Sequence, residues 1–324
     1  DNYRAALKKR LKYIVSDLKV NYLKHDFNFL KCTGDKPGYR ATDLQSIEAN
    51  TDAEIELLDY MHSLNPDLFL NVTSYVWLSP WWLPHADALW IGSNDYGWNK
   101  TVPAFDKRNQ SNTYYDEFIY RRIREERAQV KPHILMTHGI IDARLNRLGG
   151  ENEDYKTWVD NVMMYLGRGV MMRELYLSPD NIPQDRWDAL SQALNWAATQ
   201  NDIFTNGEML GGNPERGETY WYHFSKGDRD LFTLRAPSHF LGDFRLQLKF
   251  RDRLIHILYP YNMWILDDVI DDFGRAFIET PGHSVTIVEA VPPSAVVRPV
   301  VSGVMSKLVR QTETETEYEL TSLP

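Results

Sequence analysis

The sequence predicts an α/β fold in which parallel strands alternate with helices as in a (β/α)8 TIM barrel, followed by an antiparallel β domain. Two changes of texture carry this expectation. Through residue 202 apolar strand segments alternate with amphipathic helices, and from residue 203 short strands lie between clustered glycines and turn residues. A third observation says where chemistry would sit: Tyr22-Leu23-Lys24-His25-Asp26-Phe27 is a short apolar strand ending in a lysine and a carboxylate, with Asn28 directly after it.

In chain order, residues 3–18 place Leu7, Leu11, Ile14, Val15 and Leu18 at the spacing of one helical face, so a helix delivers the chain to that first strand. Thr51 or Asp52 can cap a second helix that Asn65-Pro66 stops. A second strand covers 68–74, an aromatic-rich loop 75–84, and a third strand 88–92. A helix over 112–130 leads to a fourth strand, 133–138, and a helix over 154–166 to a fifth, 170–176. Pro183 introduces a last helix over 186–199. Strands and helices in this alternation imply a parallel sheet with right-handed crossovers. Five strands fall short of the eight a barrel needs, so either the sheet is open or three units lie upstream of residue 1.

Beyond residue 203, Asn206-Gly207, Gly211-Gly212-Asn213-Pro214 and Lys226-Gly227-Asp228 punctuate short strands at 231–235 and 284–288, and Thr and Glu alternate over 312–318. The expected division is thus a catalytic barrel portion over 1–202 and an antiparallel domain over 203–324, most simply a sandwich.

Composition excludes several functions. With 45 acidic against 36 basic residues the formal charge is −9, and no basic block offers a phosphate surface, so nucleic acid is not the expected partner. Cys32 is the single cysteine, which rules out an intrachain disulfide and a cysteine-based metal site. His133 and His138 are five apart on one predicted strand, on opposite faces, and do not form a metal pair. Neither metal nor cofactor is expected. No apolar run of about 18 residues occurs, so no membrane span is expected. The chain reads as soluble, compatible with a secreted or periplasmic location, and a homo-oligomer remains open. It begins with Asp rather than Met, as though processing or truncation had removed what preceded it.

Alone, an aspartate at a strand end serves as readily as a helix cap or loop hydrogen-bonder as it does a nucleophile. Spacing adds weight to the second role. Alternate strand residues share a face, so Lys24, Asp26 and Asn28 can address one pocket, and an ammonium beside a carboxylate favours the ionised form a nucleophile needs. Trp77, Trp81 and Trp82, with Ser74, offer aromatic planes and a hydroxyl in or near the loop after the second strand, and Trp98 another after the third, the composition of a pocket rim. Core packing is the alternative for any one tryptophan. His138 at a strand end either touches substrate or is a satisfied hydrogen-bonder; Glu174 is a substrate ligand or half of a structural ion pair. Of the sequons at Asn71, Asn99 and Asn109, the first falls inside a predicted strand.

Lys24-His25-Asp26-Phe27-Asn28 resembles the Lys-Trp-Asp-x-Asn strand of glycoside hydrolase family 36, the melibiase or α-galactosidase group, whose Asp is the nucleophile of a retaining mechanism. Trp90-Ile91-Gly92-Ser93-Asn94-Asp95 is similar to the family's Trp-Thr-Ser-Asp segment holding the acid/base, with an insertion before Asp95. Leu210-Gly211-Gly212-Asn213-Pro214 and Leu234-Arg235-Ala236-Pro237 are similar to stretches near the barrel end and in the C-terminal sheet. The resemblance implies that the chain holds barrel strands four to eight and is part of a longer enzyme. It also implies catalytic roles for Asp26 and Asp95, with Lys24, Asn28, Ser74, Trp77, Trp81 and Trp82 binding an oligosaccharide or glycoconjugate. The family's Gly-rich stretch with a sugar-binding Arg is absent, and residues 71–82 are aromatic instead. Asp87 competes with Asp95 for the acid/base but precedes the third strand, at the wrong end for barrel chemistry. Two other activities stay open: glycosyl transfer of the raffinose-synthase type, and carbohydrate binding without catalysis.

Overall fold

The computed structural model describes residues 2–26, 33–34, 40–73, 78–95, 106–265, 269–296 and 299–322. The chain forms two compact units: Asp1–Gly92 with Ala128–Val130 and Ile134–Met136, and Ser93–Arg127 with Lys131–His133 and Thr137–Pro324.

In the first unit, α1 (Asn2–Lys12) runs into a single π turn and then β1 (Tyr22–His25). The next helix, α2 (Asp43–Leu64), is capped not by Thr51 or Asp52, which lie within it, but by Thr42, whose hydroxyl accepts from the Gln45 N–H. Then come β2 (Phe69–Val72), β3 (Ala88–Trp90) and β4 (Leu135–Met136). The four strands form one parallel sheet in chain order, with Leu23 beside Leu70 and Val72 beside Leu89. Leu70, Asn71 and Val72 are all buried, as in a strand covered on both faces, and Val15, Leu58, Met61, Ala88 and Leu135 complete the core. Surface ion pairs from Arg4 and Lys8 to Glu56 tie α1 to α2.

The second unit contains α3 (Lys107–Tyr120), β5 (Ile140–Asp142), α4 (Tyr155–Gly167), β6 (Leu175–Leu177), α5 (Gln184–Thr199) and α6 (Asn201–Phe204). β5 and β6 pair in parallel. The strands β7 (Gly207–Gly211), β8 (Tyr220–Lys226), β9 (Arg229–Arg235), β10 (Gly242–Gln247), β11 (Leu254–Tyr259), β12 (Met263–Ile265), β13 (Arg275–Thr280) and β14 (Val285–Val291) follow. Six of them make an antiparallel sheet in the order β12-β11-β14-β9-β8-β7, and β10 pairs with β13. Phe244, Leu246 and Ile278 of that pair share one apolar core with Phe232, Leu234, Ile255 and Val288 of the sheet. A further hairpin, β15 (Met305–Gln311) with β16 (Thr316–Thr321), meets the sheet through Ser306, whose N–H donates to the Asn262 carbonyl.

The compact units divide after Gly92 and not near residue 203, where helices give way to antiparallel strands. The reason is a buried polar lattice that joins the helices before residue 203 to the sheet after it. Asp116 on α3 accepts two hydrogen bonds from Arg168, just past α4, and one each from the Tyr220 and Tyr222 hydroxyls on β8. Arg235 on β9 donates to the Asn109 side chain and carbonyl on α3.

One expected strand resolves differently. Residues 132–134 form a 3-10 turn, β4 is two residues long, and a separate strand, β5, begins after Gly139. His133 and His138 therefore do not share a strand. A Cβ at Gly139 would lie 1.6 Å from the Glu174 carbonyl oxygen, so only glycine lets the chain pass β6 there.

Candidate active site

β1 ends at His25, and Asp26 follows it, exposed, at the C-terminal end of a parallel strand. Lys24, half-buried, precedes it by two residues and so shares its side of the strand. The intervening His25 is anchored: its carbonyl accepts from both the N–H and the hydroxyl of Thr73, each at 2.8 Å. Its ring lies 3.7 Å from the buried Glu54 carboxylate. Burial nevertheless holds the imidazole below the ordinary histidine range, so desolvation outweighs that neighbour.

Of the tryptophans near β3, Trp81 is 83% exposed and Trp82 only 6%. The Ser79 hydroxyl accepts from the Trp81 N–H and starts the short turn that carries both. Trp81 thus presents its ring to solvent, whereas Trp82 packs inward. Asn28, Ser74, Trp77 and Trp98 lie outside the described residues, as does Cys32. Asp87 has a structural partner: its carboxylate accepts the Leu70 N–H at 2.7 Å, which fixes the start of β2 to the residue before β3.

In the second unit, Asp95 lies on the segment after β3. The Asn94 N–H donates to the Tyr114 hydroxyl at 2.6 Å, and the Asp95 carboxylate reaches His138 Nε2 at 3.0 Å. The other ring nitrogen of His138 lies 3.3 Å from Glu174 Oε2 and 3.2 Å from the Tyr176 hydroxyl. Tyr165, fully buried, fixes Glu174 from behind by accepting its N–H at 2.7 Å. Arg173 turns the opposite way, to the Ala197 carbonyl and the Asn201 side chain, as alternation requires.

The structure therefore brings Asp95 together with His138 and Glu174, whose roles the sequence left undecided. Tyr114, Tyr165 and Tyr176 went unremarked. The available signal was positional: Asp95 and His138 each follow a parallel strand within a few residues, the place where barrel chemistry concentrates. Asn71 and Asn109 are buried, so neither sequon is open to modification in the folded chain. Among the described residues, no group of three or more His, Cys, Asp or Glu is placed to hold a metal ion, and no helix is long and apolar enough to cross a membrane.

No protein-family model matches the sequence, and no curated protein matches it. The fold is one found in glycoside hydrolases. A family 36 α-galactosidase of Geobacillus stearothermophilus, solved with 1-deoxygalactonojirimycin, superposes with a TM-score of 0.59 at 11% identity over 90% of this chain and 38% of its own. A family 27 β-L-arabinopyranosidase of the same organism gives 0.56 at 10% identity, over 92% of this chain and 63% of its own. An α-amylase of Geobacillus thermoleovorans, solved with acarbose, gives 0.54 at 11% identity over 90% and 64%. The chain spans well under half the length of the α-galactosidase it resembles. At this identity the likeness is one of fold.

Proposed function

We propose that the chain carries the nucleophile and the acid/base of a retaining α-glycosidase that hydrolyses terminal α-galactosides or α-N-acetylgalactosaminides. In this reading β1 to β6 belong to a (β/α)8 barrel and the antiparallel sheets to a β-sandwich. The observation that carries it is Asp26, exposed directly after a parallel strand and two residues beyond Lys24, within a segment resembling the family 36 nucleophile strand. The fold shared with a family 36 α-galactosidase supports it.

The chemistry is a double displacement. The Asp26 carboxylate attacks the anomeric carbon while the bond to the leaving oxygen breaks, and Asp95 gives that oxygen its proton. Water then attacks the same carbon, Asp95 takes the water's proton, and Asp26 departs as carboxylate. Trp81 stacks on the sugar face, and Lys24 keeps a positive charge beside the nucleophile.

The test is product analysis by proton NMR with the full-length protein and an aryl α-galactoside. Release of the α-anomer first supports retention. Release of the β-anomer first overturns the double displacement. Products appearing only with an added sugar acceptor point to glycosyl transfer, and saturable binding without turnover points to a carbohydrate-binding protein.

A further inference from the structure

One polar cluster in the second unit is not consumed by the double displacement itself. His138 is 6% exposed, yet both its ring nitrogens meet polar partners: Asp95 Oδ1 at 3.0 Å on one side, Glu174 Oε2 at 3.3 Å and the Tyr176 hydroxyl at 3.2 Å on the other. Burying an imidazole is costly unless its nitrogens are satisfied, and here the satisfaction runs outward to a side chain that is itself 86% exposed. A solvated aspartate on a loop rotates freely about both side-chain bonds. A 3.0 Å contact with a buried ring restricts that freedom, and the ring is itself held: the Glu174 N–H is fixed by Tyr165, and Gly139 lets β5 press against the Glu174 carbonyl.

We propose that His138 is the positioning residue of Asp95, with Glu174 and Tyr176 fixing its imidazole; this rests on the acid/base reading of Asp95 above. Nε2 faces Asp95 Oδ1 at 3.0 Å and holds that oxygen, so Oδ2 is the oxygen presented to the substrate. The proton on Oδ2 passes to the leaving oxygen as the anomeric C–O bond breaks, and Oδ2 takes a proton from water in the second step. His138 takes no part in the proton transfer itself.

The experiment compares kcat/KM of the full-length protein on two α-galactosides that differ only in leaving group. One releases 2,4-dinitrophenolate, which departs without protonation; the other releases an unactivated sugar, which must be protonated. For His138→Ala the proposal expects a loss of about 100-fold on the unactivated substrate and less than about 3-fold on the activated one, the size of a general-acid contribution. His138→Gln, whose side-chain amide can stand in for Nε2, should recover part of the loss. Glu174→Gln should show the same selectivity at about 10-fold, and it supplies the measurement should His138→Ala fail to fold. Equal losses on both substrates, with His138→Gln no better than His138→Ala, would overturn the positioning role while leaving the glycosidase intact. A wild-type protein that hydrolyses neither substrate would overturn the glycosidase reading, and the positioning role with it.

Discussion

Arg168 and Asp116 are joined by two hydrogen bonds, Nε to Oδ1 at 2.6 Å and Nη2 to Oδ2 at 3.0 Å, where neither side chain reaches solvent. The same carboxylate accepts the Tyr220 and Tyr222 hydroxyls at 2.7 and 2.6 Å, so one aspartate satisfies three residues from two further elements. Burial pushes both phenols well above their ordinary range, and they stay protonated as donors.

Asp116→Ala leaves the Arg168 cation buried without its anion. Breaking a buried pair from one side costs on the order of 3–5 kcal/mol. Urea unfolding of the variant should show that loss in the second unit, seen as the early disappearance of antiparallel-sheet signal. A loss below about 1 kcal/mol would show that water reaches the site.

Trp81 and Trp82 separate binding from packing. Trp81→Ala removes an exposed ring and should leave the unfolding midpoint unchanged while weakening galactoside binding about tenfold, consistent with an aromatic stacking contribution of about 0.5–1.5 kcal/mol. Trp82→Ala opens a cavity in packed surroundings and should cost about 3–5 kcal/mol of stability. Calorimetry on both variants, for heat denaturation and for ligand titration, checks the pair.

Acidification should weaken the first unit. Burial holds His25 below the ordinary value near 6.5, so the unfolded chain takes up a proton more readily than the folded one. The His25 contribution is complete above about pH 6.5 and is lost as the pH falls from there through the depressed folded value. His133 and His283, shifted the same way by burial, add to the trend in the second unit. The urea midpoint should drop between pH 7.5 and 5.5, and His25→Gln should flatten part of that drop. Equal pH dependence in wild type and variant would contradict it.

The alternation of strand and helix was legible because most helices carry apolar spacing and each strand is a short apolar run. α4 begins one residue after the Asp154 cap, against a reading that started at that cap. The start of α3 was not legible, because Arg108 to Asp116 is polar on nearly every face and yet mostly buried. Its partners, Glu153, Asn161, Arg168 and Arg235, come from distant sequence. For the same reason the unit boundary could not be read from the texture change near residue 203. Motif and strand order single out Asp26 and Asp95 as candidates in the sequence, whereas the contact of His138 with Glu174 spans 36 residues and depends on Gly139 admitting β6.

Under the proposed double displacement, the decisive step is a covalent bond from Asp26 to the sugar. Incubating the full-length protein with an activated fluoro-α-galactosyl fluoride, which forms the glycosyl-enzyme quickly and releases it slowly, should add one glycosyl mass. Peptide mapping should then place that mass on Asp26. Stoichiometric labelling of any other carboxylate would contradict the account, as would an unlabelled protein that still turns over the unmodified galactoside.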